Sequence, residues 1–421
     1  MKIWYDISGL YNWHGNFTGI QRIVYNLGRY LNEDKSRESG FFIFRHGDFK
    51  EVLWEDLETR LATAKLGKPR HANDSKISTA YVRHHGSVLA KRIVTDSALE
   101  KPIRKVYSIL RSTQGVGTGH KISHIASSPF RDGDTVIVVD GNWQFHGFAD
   151  AIKATKKHTN YKFIHFIHDI VAIKNPALAS EGADKIIGDY FRSVLPITDT
   201  LLCISRSTKN DVSDLLSDYI KTTDIRIVAL GSDLPDIKSP KKPDIKIEKE
   251  FILAVSTVEV RKNYLLMYYV YKKSIADSID LPNLIIVGKK GWKADDVYNL
   301  MTKDPEINNK ITIINGISDE ELEWLYANCK FTVFPSFYEG WGIPIAESLA
   351  RGKVCISSST SSMPEVGEGL VRYLSPYSPH EWLEEMSRLD GKSLNSLEEN
   401  IRHNYKALSW QDTYNEVIMN I

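Results

Sequence analysis

Phe334-Pro-Ser-Phe-Tyr-Glu339-Gly340-Trp341-Gly342-Ile-Pro344-Ile-Ala-Glu347 begins where a short apolar run ends and passes through two glycines into a helix-compatible stretch. Strand end, glycine turn and helix start together suit an anionic ligand. The glycines let the backbone approach closely, and the free amides at a helix N-terminus favour negative charge such as phosphate. Glu339 stands in the turn, where its carboxylate can accept hydrogen bonds from sugar hydroxyls. Glu347 lies eight residues further on. At about 100° per residue the two carboxylates sit about 80° apart on overlapping faces and at different depths, placed to grip different parts of one extended ligand. The plainer alternative is a helix-capping Glu339 with a surface Glu347.

Outward from this stretch, β-rich apolar runs alternate with longer helix-compatible segments. Runs at 135–140, 163–168, 201–205 and 225–230 are separated by helical candidates such as 183–195 and 206–216, and the pattern restarts at 251–255, 283–287, 311–314, 331–334 and 354–357. Such alternation marks βαβ units around a parallel sheet. Between the two sets, 232–250 carries Pro235, Pro240 and Pro243 among many Lys and Asp, with little to build a core. The expected organisation is an α/β chain of two Rossmann-like domains facing across a cleft. Residues 1–232 form the first, 233–250 the linker and 251–394 the second; 395–421 supply a terminal helix returning to the first domain. Ligands of open α/β sheets bind beyond the carboxyl ends of the strands, which makes the cleft the expected site.

The 421 residues carry 54 Lys and Arg against 53 Asp and Glu, a balance that argues against nucleic acid as a partner. Residues 60–121 are the exception, with 13 Lys and Arg against Asp74, Asp96 and Glu100. Apolar residues interspersed there suit basic amphipathic helices on an anionic membrane surface, or a solvated insertion. Gly115-Val-Gly-Thr-Gly119 follows no strand and reads as a loop. No apolar run approaches the ~18 residues that span a bilayer, and the first residues do not read as a secretory leader. Cys203, Cys329 and Cys355 lie in apolar surroundings without metal-ligand spacing and read as buried reduced thiols. The expected location is cytoplasmic, with peripheral attachment to the inner face of a membrane as an option.

A second loop, Val255-Ser-Thr257-Val-Glu-Val-Arg261-Lys262-Asn263, follows the first strand of the second domain, and its adjacent cations suit a diphosphate. With these residues in view, the chain resembles the retaining glycosyltransferases of family 4, which have the GT-B fold. Glu339 to Glu347 matches their EX7E signature, and Arg261-Lys262-Asn263 resembles their phosphate loop. The likeness extends to Asp6-Ile-Ser8, Thr18-Gly19-Ile20-Gln21-Arg22, His168-Asp169-Ile170, Val228 to Gly231, Val287 to Trp292 and Asn315-Gly316-Ile317-Ser318. Residues 31–130 are covered least. The resemblance implies that Lys262 and Arg261 bind the donor diphosphate and that Glu339, with amides around Gly340, Trp341 and Gly342, contacts the transferred sugar. It implies further that Glu347 holds the ribose, Gly316 and Ile317 frame the base, Thr18 and Gly19 close over the diphosphate, and His168 with Asp169 faces the acceptor. Where many relatives carry a glycine and an arginine a turn earlier, this chain has Ser256 and Thr257.

The chemistry expected from that likeness is retaining hexosyl transfer: positive charge at the leaving diphosphate, negative potential near the sugar ring, and a donor phosphate oxygen accepting the acceptor's proton. His165, three residues before His168 in the same apolar run, reads as packing. Asp132-Gly133-Asp134 has the form of a cation-binding triplet but precedes a strand, and reads as a turn. The expectation is therefore transfer without a metal or other cofactor. The implied donor is GDP-mannose, with dTDP-rhamnose or a UDP-hexose as alternatives. The implied acceptor is a growing bacterial surface polysaccharide such as O-antigen, built on a lipid diphosphate; the oligomeric state is open. A non-catalytic sugar-nucleotide or glycan-binding scaffold is the competing class, and an epimerase or phosphorylase of the same fold a third.

Overall fold

The computed structural model describes residues 1–14, 17, 19–66, 126–232, 237–247 and 250–421. Most of the basic stretch 60–121 lies outside the described residues, as do the Gly115–Gly119 glycines and Thr18. The chain forms two compact units, Met1–Trp54 with Ser127–Ile421, and Glu55–Ala126. The second is described through the helix Trp54–Leu66, of which it holds all but the first residue.

Among the described residues the larger unit contains two sheets. The N-terminal one has seven strands: β1 Ile3–Asp6, β2 Ser39–Arg45, β3 Asp48–Val52, β4 Thr135–Val138, β5 Lys162–Ile167, β6 Thr200–Cys203 and β7 Asp224–Ile227. Their order is β3-β2-β1-β4-β5-β6-β7. All neighbours are parallel except the β2–β3 hairpin, whose turn places His46 and Gly47 at φ 56° and 86°. Positive φ at both central residues is the two-residue turn whose twist matches its strands. β1 and β4 are buried throughout, as parallel strands covered on both faces must be. The C-terminal sheet comprises β8 Phe251–Val255, β9 Asn283–Val287, β10 Ile311–Ile314, β11 Thr332–Phe334, β12 Cys355–Ser358 and β13 Arg372–Leu374, all parallel, in the order β10-β9-β8-β11-β12-β13. This is the GT-B arrangement of two Rossmann-like α/β domains.

In each sheet the order reverses once, between β1 and β4 and between β8 and β11. Loops leaving adjacent strands there diverge to opposite faces and open a crevice at the strands' carboxyl ends. Asp6 and Asp140 flank the first crevice. Ser256 and the 335–339 loop flank the second.

The C-terminal core packs Tyr264, Met267 and Tyr271 of the helix Tyr264–Ala276 with Trp382 and Met386 of the helix Pro379–Arg388. The final helix, Trp410–Met419, packs on the N-terminal helix Gly19–Glu33. Its Tyr414 hydroxyl donates to Asp34 at 2.8 Å, and its Thr413 hydroxyl accepts from the Gly231 amide at 2.7 Å. The Asp132-Gly133-Asp134 turn precedes β4. Asp134 accepts from the Lys2 and Arg131 amides and the Trp4 indole at 2.9 to 3.0 Å, so its carboxylate stitches β1 to β4. Cys203, Cys329 and Cys355 are free and buried. Among the described residues no helix is long and apolar enough to cross a membrane, and no cluster of three or more His, Cys, Asp or Glu side chains could hold a metal.

Candidate functional site

The C-terminal half of the site is built from the exits of β8 and β11. After β8 the chain makes a 3-10 turn at Val260–Lys262, and Asn263 ends it in the left-handed region at φ 56°. The buried Asn263 side chain donates to the carbonyls of Pro335 and Pro376 at 3.1 and 2.9 Å, tying this loop to those after β11 and β13. Arg261 and Lys262 thereby converge on Glu339. Arg261 Nη1 reaches Glu339 Oε2 at 2.7 Å, and Lys262 Nζ reaches Oε1 at 2.6 Å. Glu259 pairs with Arg261 at 3.0 Å. Burial works to raise the Glu339 pKa, but the charges of Arg261 and Lys262 outweigh it and hold the carboxyl below its ordinary value. Burial, with the charge of Arg261, pushes Lys262 down.

The backbone around Glu339 is held as firmly as its side chain. Ser361 Oγ accepts from the Glu339 amide at 2.8 Å, and Ser362 Oγ donates to the Glu339 and Trp341 carbonyls, both at 2.8 Å. Gly342, at φ 134°, turns the chain into the helix Ile343–Ala350, with Pro344 in its first turn. That helix carries Glu347, whose side chain is only 3% exposed. Tyr326 donates to Glu347 Oε2 at 2.8 Å, and Arg22 of the N-terminal domain pairs with Oε1.

From the N-terminal domain His168 enters at the exit of β5. Its Nε2 lies 2.6 Å from the Val139 carbonyl, so that nitrogen carries the hydrogen. Nδ1, left with a lone pair, is buried without a hydrogen-bond partner among the described residues. Burial pushes the ring's pKa below its ordinary value, favouring the neutral form. Asp169 accepts from the Val171 amide at 3.1 Å and so starts the next short helix. His165 is packed, its ring nitrogens bonded to the Phe166 carbonyl and the Tyr190 hydroxyl at 2.6 and 2.7 Å.

Contacts across the cleft join these halves. Tyr338 donates to Asp211 at 2.6 Å, and Glu365 accepts from the Arg206 and Ser207 amides, both at 2.8 Å. Trp292 donates to the Leu178 carbonyl at 3.2 Å. Gly19 begins the Gly19–Glu33 helix, and a Cβ on it would lie 3.5 Å from Ile343. Gly316, at φ 73°, and Ile317 form the loop that leads into the helix Asp319–Asn328, which carries Tyr326. The structure thus gathers Arg261, Lys262, Glu339, Gly340 and His168 at one place and Glu347 with Arg22 and Tyr326 at another along the same helix start. A surface hollow of about 310 Å³, lined by Arg351, Arg402 and Tyr405, opens at the far end of the Ile343–Ala350 helix and contains none of them.

Four polar groups here carried no role in the sequence reading. Arg22 was visible only as part of the Thr18 to Arg22 motif, and Tyr326 gave no local signal. At the switch point Asp6 ends β1 and Asp140 lies in the loop after β4; Asp6 accepts from Asn142 Nδ2 at 2.7 Å, and Asp140 from the Leu10 amide at 2.9 Å. Their positions at strand ends were the available signal.

Residues 236–404 match the family described as glycosyl transferases group 1. The O-antigen chain mannosyltransferase RfbU of Salmonella typhimurium (strain LT2) is 30% identical over 57% of this chain and 68% of its own. The serotype-specific mannosyltransferase WbdA of Escherichia coli is 26% identical over 61% of this chain, which spans about a third, 33%, of that longer protein. In fold, the chain is similar over its whole length to a glycosyltransferase from Rickettsia africae, with a TM-score of 0.56 at 12% identity, covering 100% of this chain and 97% of the other.

Proposed function

The chain belongs to the glycosyl transferases of group 1, and on that premise we propose that it transfers a mannosyl residue, with retention and without a metal, from GDP-mannose to a growing O-antigen-type glycan. The observation that carries this reading is Glu339 fixed between Arg261 and Lys262, facing the domain that presents the lone pair of His168. In this reading Arg261 and Lys262 take the donor diphosphate. Each then trades part of its bond to Glu339 for phosphate oxygens, and Glu339 turns to the hydroxyls of the sugar. Once the donor is bound, these cations face the leaving group and stabilise its charge without further reorganisation during the reaction, which is the work a metal would otherwise do.

Amides of Gly340, Trp341 and Gly342 at the helix start add to the phosphate site. Glu347 takes the ribose, Gly316 and Ile317 frame the base, and Thr18 with Gly19 covers the diphosphate. His168 accepts a hydrogen bond from a sugar or acceptor hydroxyl at Nδ1, and Asp169 supports it. The mannosyltransferase relatives favour mannose over the dTDP-rhamnose and UDP-hexose alternatives. A lipid-diphosphate-linked acceptor would place the protein at an anionic membrane surface, and the excess of basic residues in 60–121 supports that attachment.

The test is thermal stability with GDP-, UDP-, dTDP- and ADP-linked sugars, each with magnesium and with EDTA. A ligand at ~100 times its dissociation constant adds about 2.7 kcal/mol. Stabilisation by GDP-mannose, equal in EDTA, is the expected result, followed by transfer to a mannose-terminated acceptor. Preference for another base would replace the donor; binding without turnover on any acceptor would leave a scaffold.

A further inference from the structure

Glu347 is held by two partners of different origin. Tyr326, buried in the same domain, takes Oε2. Arg22, one turn into the Gly19–Glu33 helix of the opposite domain and 325 residues away in sequence, takes Oε1. The nearer cation is engaged elsewhere: Arg351 reaches Glu323 with Nε at 3.0 Å, donates to the backbone carbonyl of Glu347 at 2.9 Å and lies over the Tyr326 ring. The charge that balances this buried carboxylate therefore comes from across the cleft. Asp319, at the start of the helix after the Gly316 and Ile317 loop, also acts on Arg22.

A carboxylate has about four acceptor positions, two on each oxygen. With one on each side taken by Arg22 and Tyr326, the plane of the carboxylate is fixed and both oxygens can still accept. Two vicinal hydroxyls need that arrangement. We propose that Arg22 is a positioning residue for the donor's nucleoside: reaching across the cleft, it holds the Glu347 carboxylate in the orientation that accepts both hydroxyls of a ribose, so the nucleoside grip is completed by the opposite domain. The proposal rests on the reading of Glu347 as the ribose ligand. It also gives the N-terminal domain a part in choosing the nucleotide, a task otherwise carried by loops of the C-terminal domain.

A pair that only supported the fold would affect all ligands alike, whereas a pair that orients Glu347 affects those with a 2′-hydroxyl. The probes are therefore GDP and 2′-deoxy-GDP, with the UDP and ADP pairs alongside, titrated calorimetrically into the wild-type chain, Arg22→Gln, Arg22→Lys and Glu347→Gln. A hydrogen bond to a charged group is worth about tenfold or more in affinity. Wild type is expected to prefer the ribonucleotide by about that factor, Arg22→Gln to lose the preference with little change for the deoxy compound, and Arg22→Lys to recover part of it. In turnover, Arg22→Gln should raise the donor KM and leave kcat nearly unchanged. If wild type discriminates and Arg22→Gln discriminates equally, or loses affinity equally for both members of a pair, the role of Arg22 is overturned while that of Glu347 stands. If wild type binds no member of any pair, or discriminates in none, the ribose reading of Glu347 fails and the inference falls with it.

Discussion

Gly340 lies directly against the backbone carbonyl of His168, so closely that a Cβ there would overlap the oxygen and also press on the Asp169 side chain. Glycine is required here for close approach between the two domains rather than for an unusual φ. Gly340→Ala is expected to push His168 away from Glu339 and lower transfer by about two orders of magnitude, as small displacements of reacting groups do. Because the obstruction lies at the cleft and not in either core, the thermal midpoint should move little. Parallel measurement of kcat and thermal unfolding checks this: activity near wild type would mean that the halves separate during turnover without cost.

The Glu339 cluster makes a separate prediction. Removing one member of a buried ion pair leaves an unbalanced charge and typically costs 3–5 kcal/mol, more than removing both. Lys262→Ala and Glu339→Ala should each lower stability by roughly that amount, and the double substitution should cost clearly less than their sum. Transfer should fall by about 10²–10³ or more in each single variant, as for a lost electrostatic stabiliser. Urea unfolding of the four proteins gives the coupling. Additive losses would show that the bonds to Glu339 contribute no mutual stabilisation.

Much of this arrangement is legible in the sequence because parallel strands buried on both faces leave near-continuous apolar runs. Thr135-Val-Ile-Val138 and Phe251-Ile-Leu-Ala-Val255 are two such runs. Strand ends are less legible: β4 stops at Val138 although the apolar run continues through Val139, and Val228 to Leu230 lie beyond the end of β7. The β2–β3 hairpin stands outside the βαβ alternation, although Phe41-Phe-Ile-Phe44 is strand-like and His46-Gly47 supplies its turn. The convergence of Arg261, Lys262 and Glu339 could be anticipated from loops leaving adjacent strands. The Arg22 to Glu347 pair could not, since no local pattern reports a contact between helices of different domains.

The return of the C-terminal helix depends on another glycine. A Cβ on Gly231 would come within 2.6 Å of the Trp410 nitrogen and 2.8 Å of the Ser409 carbonyl carbon, both backbone atoms that cannot turn aside. Thr413 completes the joint, accepting from the Gly231 amide at 2.7 Å and donating to the Ala229 carbonyl at 3.0 Å. Gly231→Ala should cost about 1–3 kcal/mol by overpacking, and Thr413→Val about 1–3 kcal/mol by leaving a buried amide without its acceptor. Both are read in urea midpoints. Since the two changes loosen one joint, the double variant should lose less than the sum, and independent losses would show that the helix is anchored elsewhere.

Asp6 and Asp140 make stability depend on pH in an unusual direction. Burial first, and the charge of Asp140 second, raise the Asp6 pKa from 3.8 to about 7, while bonds from Ser8 and Asn142 oppose the shift. The folded chain therefore keeps a proton on Asp6 between about pH 4 and 7 that the unfolded chain has lost. Where the folded state binds more protons, stability falls as pH rises. This contribution is fully present below about pH 4 and gone once pH passes 7, the reverse of the Glu339 carboxylate, whose pKa is lowered. Asp6→Asn mimics the protonated form. The substituted amide would face the Asn142 Nδ2 donor that now serves Asp6, but Asn142 Oδ1 is buried without a partner among the described residues, and turning that side chain over supplies an acceptor. The difference in unfolding free energy, wild type minus Asp6→Asn, should therefore decrease by an amount on the order of a few kcal/mol from pH 4.5 to 7.5. Urea unfolding at both pH values measures it. Parallel pH profiles for the two proteins would show that Asp6 is already ionised throughout the range and that its neighbours, rather than a proton, stabilise it.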